Sequence, residues 1–198
     1  MRKSLAVLAS VLALQACSKE AAQSDSTAAT TPAAATPAAP AARADSTPPA
    51  ATATAPMKNA AGRDIGTLTL TDTPQGIMVM GNLTGLTAGE HGIHIHMVGQ
   101  CQPPFTSAGV HWNPTNRQHG SLNPQGPHLG DMPNITVAAD GSATVHLTTA
   151  SGGTLHGANL VMDVDGASVV VHAMADDLRT DPSGNSGDRV ACGVVTAG

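Results

Sequence analysis

Residues 65–83 read IGTLTLTDTPQGIMVMGNL, and this stretch settles the fold class. From Ile65 to Thr71 leucine and threonine side chains alternate, the two-residue period of a strand with one face buried. Asp72-Thr73-Pro74-Gln75 is turn chemistry, and Gly76 to Leu83 resumes as a second strand. The same texture of short runs cut by Gly, Pro and Asp-Gly extends outward. Asn134 to Ala139 and Ser142 to Thr148 flank Asp140-Gly141, Gly92 to Met97 supplies a strand, and Ser168 to His172 and Val190 to Thr196 follow later. A weaker strand covers Thr52 to Asn59, and no amphipathic helix interrupts the series. The chain is therefore expected to be all-β, with about eight antiparallel strands over residues 51–198. One Phe, one Trp and no Tyr leave the core to small aliphatic side chains, which suits a thin sandwich or flattened barrel.

The first fifty residues have a different composition. Met1-Arg2-Lys3 is basic, and Leu5 to Leu14 is an apolar run too short to span a bilayer comfortably, so residues 1–16 read as an export signal. Leu14-Gln15-Ala16-Cys17 resembles the lipobox of bacterial lipoproteins, in which a lipid is joined to the Cys; Ser18 suits an outer-membrane destination. The alternative is a plain secretory signal with Cys17 incidental. Residues 17–50 are nearly all Ala, Thr, Pro and Ser, too poor in large apolar residues to repay the entropy of ordering, and read as a tether. The expected location is the bacterial cell envelope, on the periplasmic side, anchored to a membrane through Cys17. Losing Arg2 and Lys3 with the signal takes two from nine basic residues, against 14 acidic ones, and leaves a formal charge of −7. No basic stripe or aromatic platform is present, which argues against nucleic acid as a partner. With Cys17 set aside, Cys101 and Cys192 are either one disulfide, closing a loop of about ninety residues, or two buried thiols.

Two long segments fit no strand: Gly99 to Pro133, and Ala173 to Asp188. Loops of that length in a small domain are usually functional or disordered. The first holds His111, His119, His128 and Asp131, stiffened by Pro114, Pro124 and Pro127. Three imidazoles and a carboxylate make the closed shell of a structural zinc, although histidines in such a loop can also be merely solvated. His94-Ile95-His96 places two imidazoles on one strand face, about 6.6 Å apart at the backbone. An isolated pair of this kind is weak evidence for a metal.

These residues carry a resemblance that spans the domain from about residue 51 to 198. Gly89-Glu90-His91-Gly92-Ile93-His94-Ile95-His96, Ser107-Ala108-Gly109-Val110-His111-Trp112-Asn113-Pro114, His119-Gly120 and His128-Leu129-Gly130-Asp131 resemble the copper/zinc superoxide dismutases, particularly exported bacterial ones. Val170-Val171-His172, Ala175-Asp176-Asp177 and Gly184 to Gly193 continue it in the same order. The resemblance implies a Greek-key β-sandwich or flattened barrel, and dismutation of superoxide to oxygen and hydrogen peroxide at a redox-cycling copper. It assigns His94, His96, His111 and His172 to copper, and His111, His119, His128 and Asp131 to zinc, with His111 bridging. Arg189 would attract and orient the anion, Asp176 would join His94 to His119 from behind, and His91 would bond to backbone. His146 and His156 have no family role.

The sequence also departs from the familiar pattern. Cys101 stands soon after the histidine pair, whereas the eukaryotic arrangement would place the cysteine at Phe105; bacterial relatives use the earlier position, so the resemblance keeps Cys101 with Cys192. The loop from Ala173 to Asp188 lacks the Glu and Lys cluster of the eukaryotic enzymes and offers only Arg179 as a basic charge. A homodimer is allowed, but the eukaryotic contact is not carried over. The competing reading is a non-enzymatic periplasmic copper/zinc buffering protein, which would have no use for Arg189. A metallohydrolase would need an open zinc position, which this ligand set closes.

Overall fold

The structure is a computed structural model, and it describes residues 51–157 and 159–198. The signal at 1–16, Cys17 and the tether at 17–50 lie outside the described residues. Among the described residues ten strands are formed: β1 Thr52–Asn59, β2 Asp64–Thr73, β3 Gly76–Leu83, β4 Gly89–His91, β5 Ile93–His96, β6 Ile135–Val137, β7 Ala143–Thr148, β8 Ser168–His172, β9 Arg189–Val194 and β10 Thr196–Ala197. Eight of them make one antiparallel sheet in the order β5-β8-β9-β1-β2-β3-β7, with β10 added beside β1. β4 and β6 form a separate pair.

The hairpin that opened the sequence reading is present, with β2 paired to β3 from Gly66↔Leu83 to Thr73↔Gly76. β1, β3 and β8 have the expected bounds. Two differences stand out. The C-terminal strand is divided into β9 and β10, since β1 pairs with β9 at Lys58 and Asn59 and with β10 at Ala53 and Thr54. β4 is an additional strand of three residues, too short to show a period and dependent on its partner β6. Residues 149–157 and 159–167, between β7 and β8, form no named strand.

The main core is aliphatic, as the composition requires. Leu68 and Leu70 of β2, Ile77 and Val79 of β3, Ile93 and Ile95 of β5, and Val169 and Val171 of β8 are fully buried within it. Alternation then turns His94, His96, Val170 and His172 to the opposite face. That face is covered by a second small cluster of Phe105, Ala108, Val170 and Cys192, with Cys101 against it. The side chains of His94, His96 and His172 thus lie between the sheet and the long loop that covers it.

Candidate metal centre

β5 ends the strand order, so its outer edge is available to the loop. The loop pairs with it: Met97 N donates to Val110 O (3.0 Å), Trp112 N to Ile95 O (2.8 Å) and Ile95 N to Gly130 O (3.0 Å). These bonds set His111 opposite His96 and Asp131 opposite His94. A side chain at position 130 is excluded, because a Cβ there would stand 2.4 Å from Ile95 O. Backbone pairing, more than loop composition, brings the two histidine groups together.

His94, His96, His111 and His172 offer nitrogens within 4.8 Å of one another, all buried. His96 Nδ1 donates to Gly109 O at 3.0 Å, and His172 Nδ1 lies 3.3 Å from Gly187 O, which leaves the two Nε2 atoms facing each other at 3.4 Å. His94 Nδ1 and His111 Nε2 are buried without a hydrogen-bond partner. Buried polar atoms are normally satisfied, so two orphaned imidazole nitrogens in one four-histidine cluster fit a metal. The donor set is imidazole throughout, which suits copper.

The other nitrogen of His111 belongs to a second group. Asp131 Oδ1 lies 3.1 Å from His111 Nδ1, 3.0 Å from His119 Nδ1 and 3.3 Å from His128 Nδ1. His94, His111, His119 and Asp131 all offer donors within 4.8 Å, while His128 stands at the edge, its Nδ1 3.5 Å from that of His111. His94 Nε2 is already bonded to Asp176 Oδ2 at 2.7 Å, and Asp176 Oδ1 lies 3.0 Å from His119 Nε2. One buried carboxylate therefore grips a ring from each group.

Protonation differs across the centre. Burial, reinforced by neighbouring imidazoles and Arg189, pushes His172 down to about 3 and His96 well below the ordinary value. Burial likewise lowers His94, and takes His111 to about 4 against the pull of Asp131. These four rings are neutral, the form that ligates. Burial also opposes charge on His119, but its bonds to Asp131 and Asp176 outweigh that and raise it to about 9. Burial would raise both carboxylates, yet the histidines around them hold Asp131 and Asp176 well below the usual range.

A family model described as copper/zinc superoxide dismutase matches residues 65–195. The chain belongs to the copper/zinc superoxide dismutase family. A copper/zinc superoxide dismutase of Caulobacter vibrioides is 45% identical over 148 residues, covering 72% of this chain and 84% of its own. A second from Aquifex aeolicus is 40% identical over 144 residues, 71% of this chain and 84% of its own. The solved copper/zinc enzyme from Brucella abortus superposes with a TM-score of 0.59 at 29% identity, over 73% of this chain and 99% of that one. A superoxide dismutase-like protein from Bacillus subtilis gives 0.68 at 35%, over 72% and 97%.

In this superoxide dismutase Arg189 is half-buried at the start of β9. Its guanidinium donates to Phe105 O and Gly109 O, both at 2.6 Å, and pairs with no carboxylate among the described residues. It lines an open cleft of about 630 Å³ with Pro104, Thr106, Gly187 and Asp188. Cys101 and Cys192 form the disulfide, 91 residues apart, and tie the Phe105 segment to β9. His91 bonds to His172 O at 2.6 Å and Thr87 O at 2.9 Å, and is structural as expected. His146 and His156 are exposed, and Asp177 is a surface acid bonded within its own loop.

Sequence reasoning missed two residues. Asn134 exchanges bonds with the Asp176 backbone, donating to its O at 2.9 Å and accepting from its N at 2.8 Å. Asp181 Oδ1 accepts from His119 N at 2.7 Å and lies 3.7 Å from His128 Nε2. Asp181-Pro182 reads locally as a turn, and nothing in it signals that the turn folds against zinc-site histidines.

Proposed function

We infer that this chain dismutes superoxide, with His94, His96, His111 and His172 holding copper and His111, His119, His128 and Asp131 holding zinc. The observation that carries this reading is the His111 ring, whose unpaired Nε2 faces the four-histidine group while Nδ1 lies 3.1 Å from Asp131. Copper held there supplies one-electron chemistry, and zinc supplies fixed charge and geometry.

The chain's own groups do the rest. Asp176 fixes His94 and His119 in the tautomer that points Nδ1 inward. His111 Nε2 can hold a proton beside the reacting centre while Nδ1 stays committed to the zinc side. Arg189 spends two N–H groups on carbonyls and keeps the others free to orient a small anion at the cleft. A copper/zinc buffer would use the ligands but has no role for that fixed guanidinium.

Metal analysis of the purified protein joined to a superoxide consumption assay tests the reading. One copper and one zinc per chain with rapid turnover are expected; both metals without turnover would leave the buffer. His111→Ala should lose most activity and bind zinc more weakly, and an active, zinc-replete variant would remove the bridge.

The location proposed is the bacterial envelope, with the signal at 1–16 removed and Cys17 lipidated, supported by the run Leu14 to Cys17. Mass analysis of the mature N-terminus should find a lipid on Cys17; an unmodified cysteine or a start elsewhere refutes the anchor.

A further inference from the structure

The strands that carry the copper histidines, β5 and β8, begin the strand order, and β3 and β7 end it. On β3, Ile77 and Val79 face the core while Met78 is half-buried and Met80 is exposed. On β7, Ala143 and Val145 face the core while Thr144, His146 and Thr148 are exposed. The register sets Met80 directly opposite His146, and Met78 opposite Thr148. Directly opposed residues share a face with Cβ atoms about 4.5 to 5.5 Å apart, and diagonal neighbours are about 7 to 8 Å apart. Met78, Met80 and His146 therefore form one contiguous triangle on the outer face.

The surrounding outward positions are of another kind. Thr69 pairs with Met80 and Thr71 with Met78 from the β2 side, and Asn82 pairs with Thr144 beyond them. A surface otherwise built of Thr and Asn thus places two thioethers and one imidazole at three neighbouring positions. The thioether is a soft donor that selects Cu(I), and imidazole serves copper equally well. None of the adjoining outward residues named is a carboxylate, so the patch offers little to hard cations. The i, i+2 spacing anchors both methionines on one face about 6.6 to 6.8 Å apart, and the unbranched side chains can bring their sulfurs to a common point.

We propose that Met78, Met80 and His146 bind one Cu(I) ion in a three-coordinate site of two sulfurs and one nitrogen, separate from the four-histidine centre. The site uses nothing from the dismutase machinery, so it stands or falls independently of that reading.

The test takes the full chain loaded with copper and zinc and equilibrates it anaerobically with Cu(I) and ascorbate against bathocuproine disulfonate, a coloured Cu(I) chelator. The protein should retain one equivalent of Cu(I) beyond the copper of the centre, with sulfur scattering in copper X-ray absorption. Met78→Leu with Met80→Leu should lose that equivalent and its sulfur signal, while zinc, centre copper and dismutation are unchanged. His146→Gln should weaken retention at least tenfold. No additional equivalent in the native protein, or its survival in the double leucine variant, overturns the site; unchanged affinity in His146→Gln overturns the imidazole ligand.

Discussion

At the scale of single residues, the centre works by dividing the two nitrogens of each ring between tasks. His94 gives Nε2 to Asp176 and keeps Nδ1 free, whereas His96 gives Nδ1 to Gly109 O and keeps Nε2. Metal-ligating histidines depend on such outer bonds for orientation. Gly184 belongs to the same device, since a Cβ there would lie 1.7 Å from Asp176 Oδ1, at a backbone φ of +63°. Arg189 is anchored differently, by two carbonyls that cannot neutralise it. Because the chain carries excess negative charge, steering of an anion has to come from this local positive group. Arg189→Ala is therefore expected to lower the dismutation rate roughly tenfold at low salt and to flatten its ionic-strength dependence, with copper retained. Equal rates for native and variant protein at low salt would refute local steering.

At the scale of elements, the edge strand β5, its neighbours β8 and β9 with His172 and Arg189, and two loops build the centre. β5 presents its edge, the loop 97–134 pairs with it through Val110, Trp112 and Gly130, and the segment 173–188 closes from β8 through Asp176 and Asp181. The second loop docks on the first at Gly120, where a Cβ would stand 2.2 Å from Leu178 O. The disulfide from Cys101 to Cys192 ties the first loop to β9, close to the carbonyl that holds Arg189. Removing a native disulfide from a small domain costs about 2 to 5 kcal/mol. Calorimetry with and without a phosphine reductant should show a melting temperature several degrees lower in the reduced protein; coincident melting would deny the bridge a structural role. The strands were legible where alternation ran long, as in β2 and β3. β4 was not, because three residues show no period, and β10 was not, because its separation from β9 depends on which strand each meets.

At the scale of the molecule, stability depends on pH through the buried rings. In the metal-free protein His111, at about 4, and His172, at about 3, favour the neutral form in the fold. Their contribution is complete above the ordinary imidazole value of about 6.5 and is lost as pH falls towards 3 to 4. Asp131 and Asp176, held low, add to the loss in acid. His119, at about 9, acts in the opposite sense, stabilising below about 6.5 and failing as pH rises through 9. Melting of the metal-free protein should accordingly drop steeply between pH 6.5 and 4, and a flat profile over that range would contradict the assigned protonation. The sequence by itself determined the all-β class, the hairpin of β2 and β3 and the aliphatic core, because alternation and turn chemistry are local properties; it assigned the metal ligands only through resemblance to a family, since spacing alone left the His94-Ile95-His96 pair weak and His172 isolated. Tertiary structure alone decided that loop 97–134 lies along β5, that Asn134 and Asp181 serve the site, and that Met78, Met80 and His146 share a face. Each of these depends on strand register or loop docking between residues distant in the chain, which local pattern does not encode.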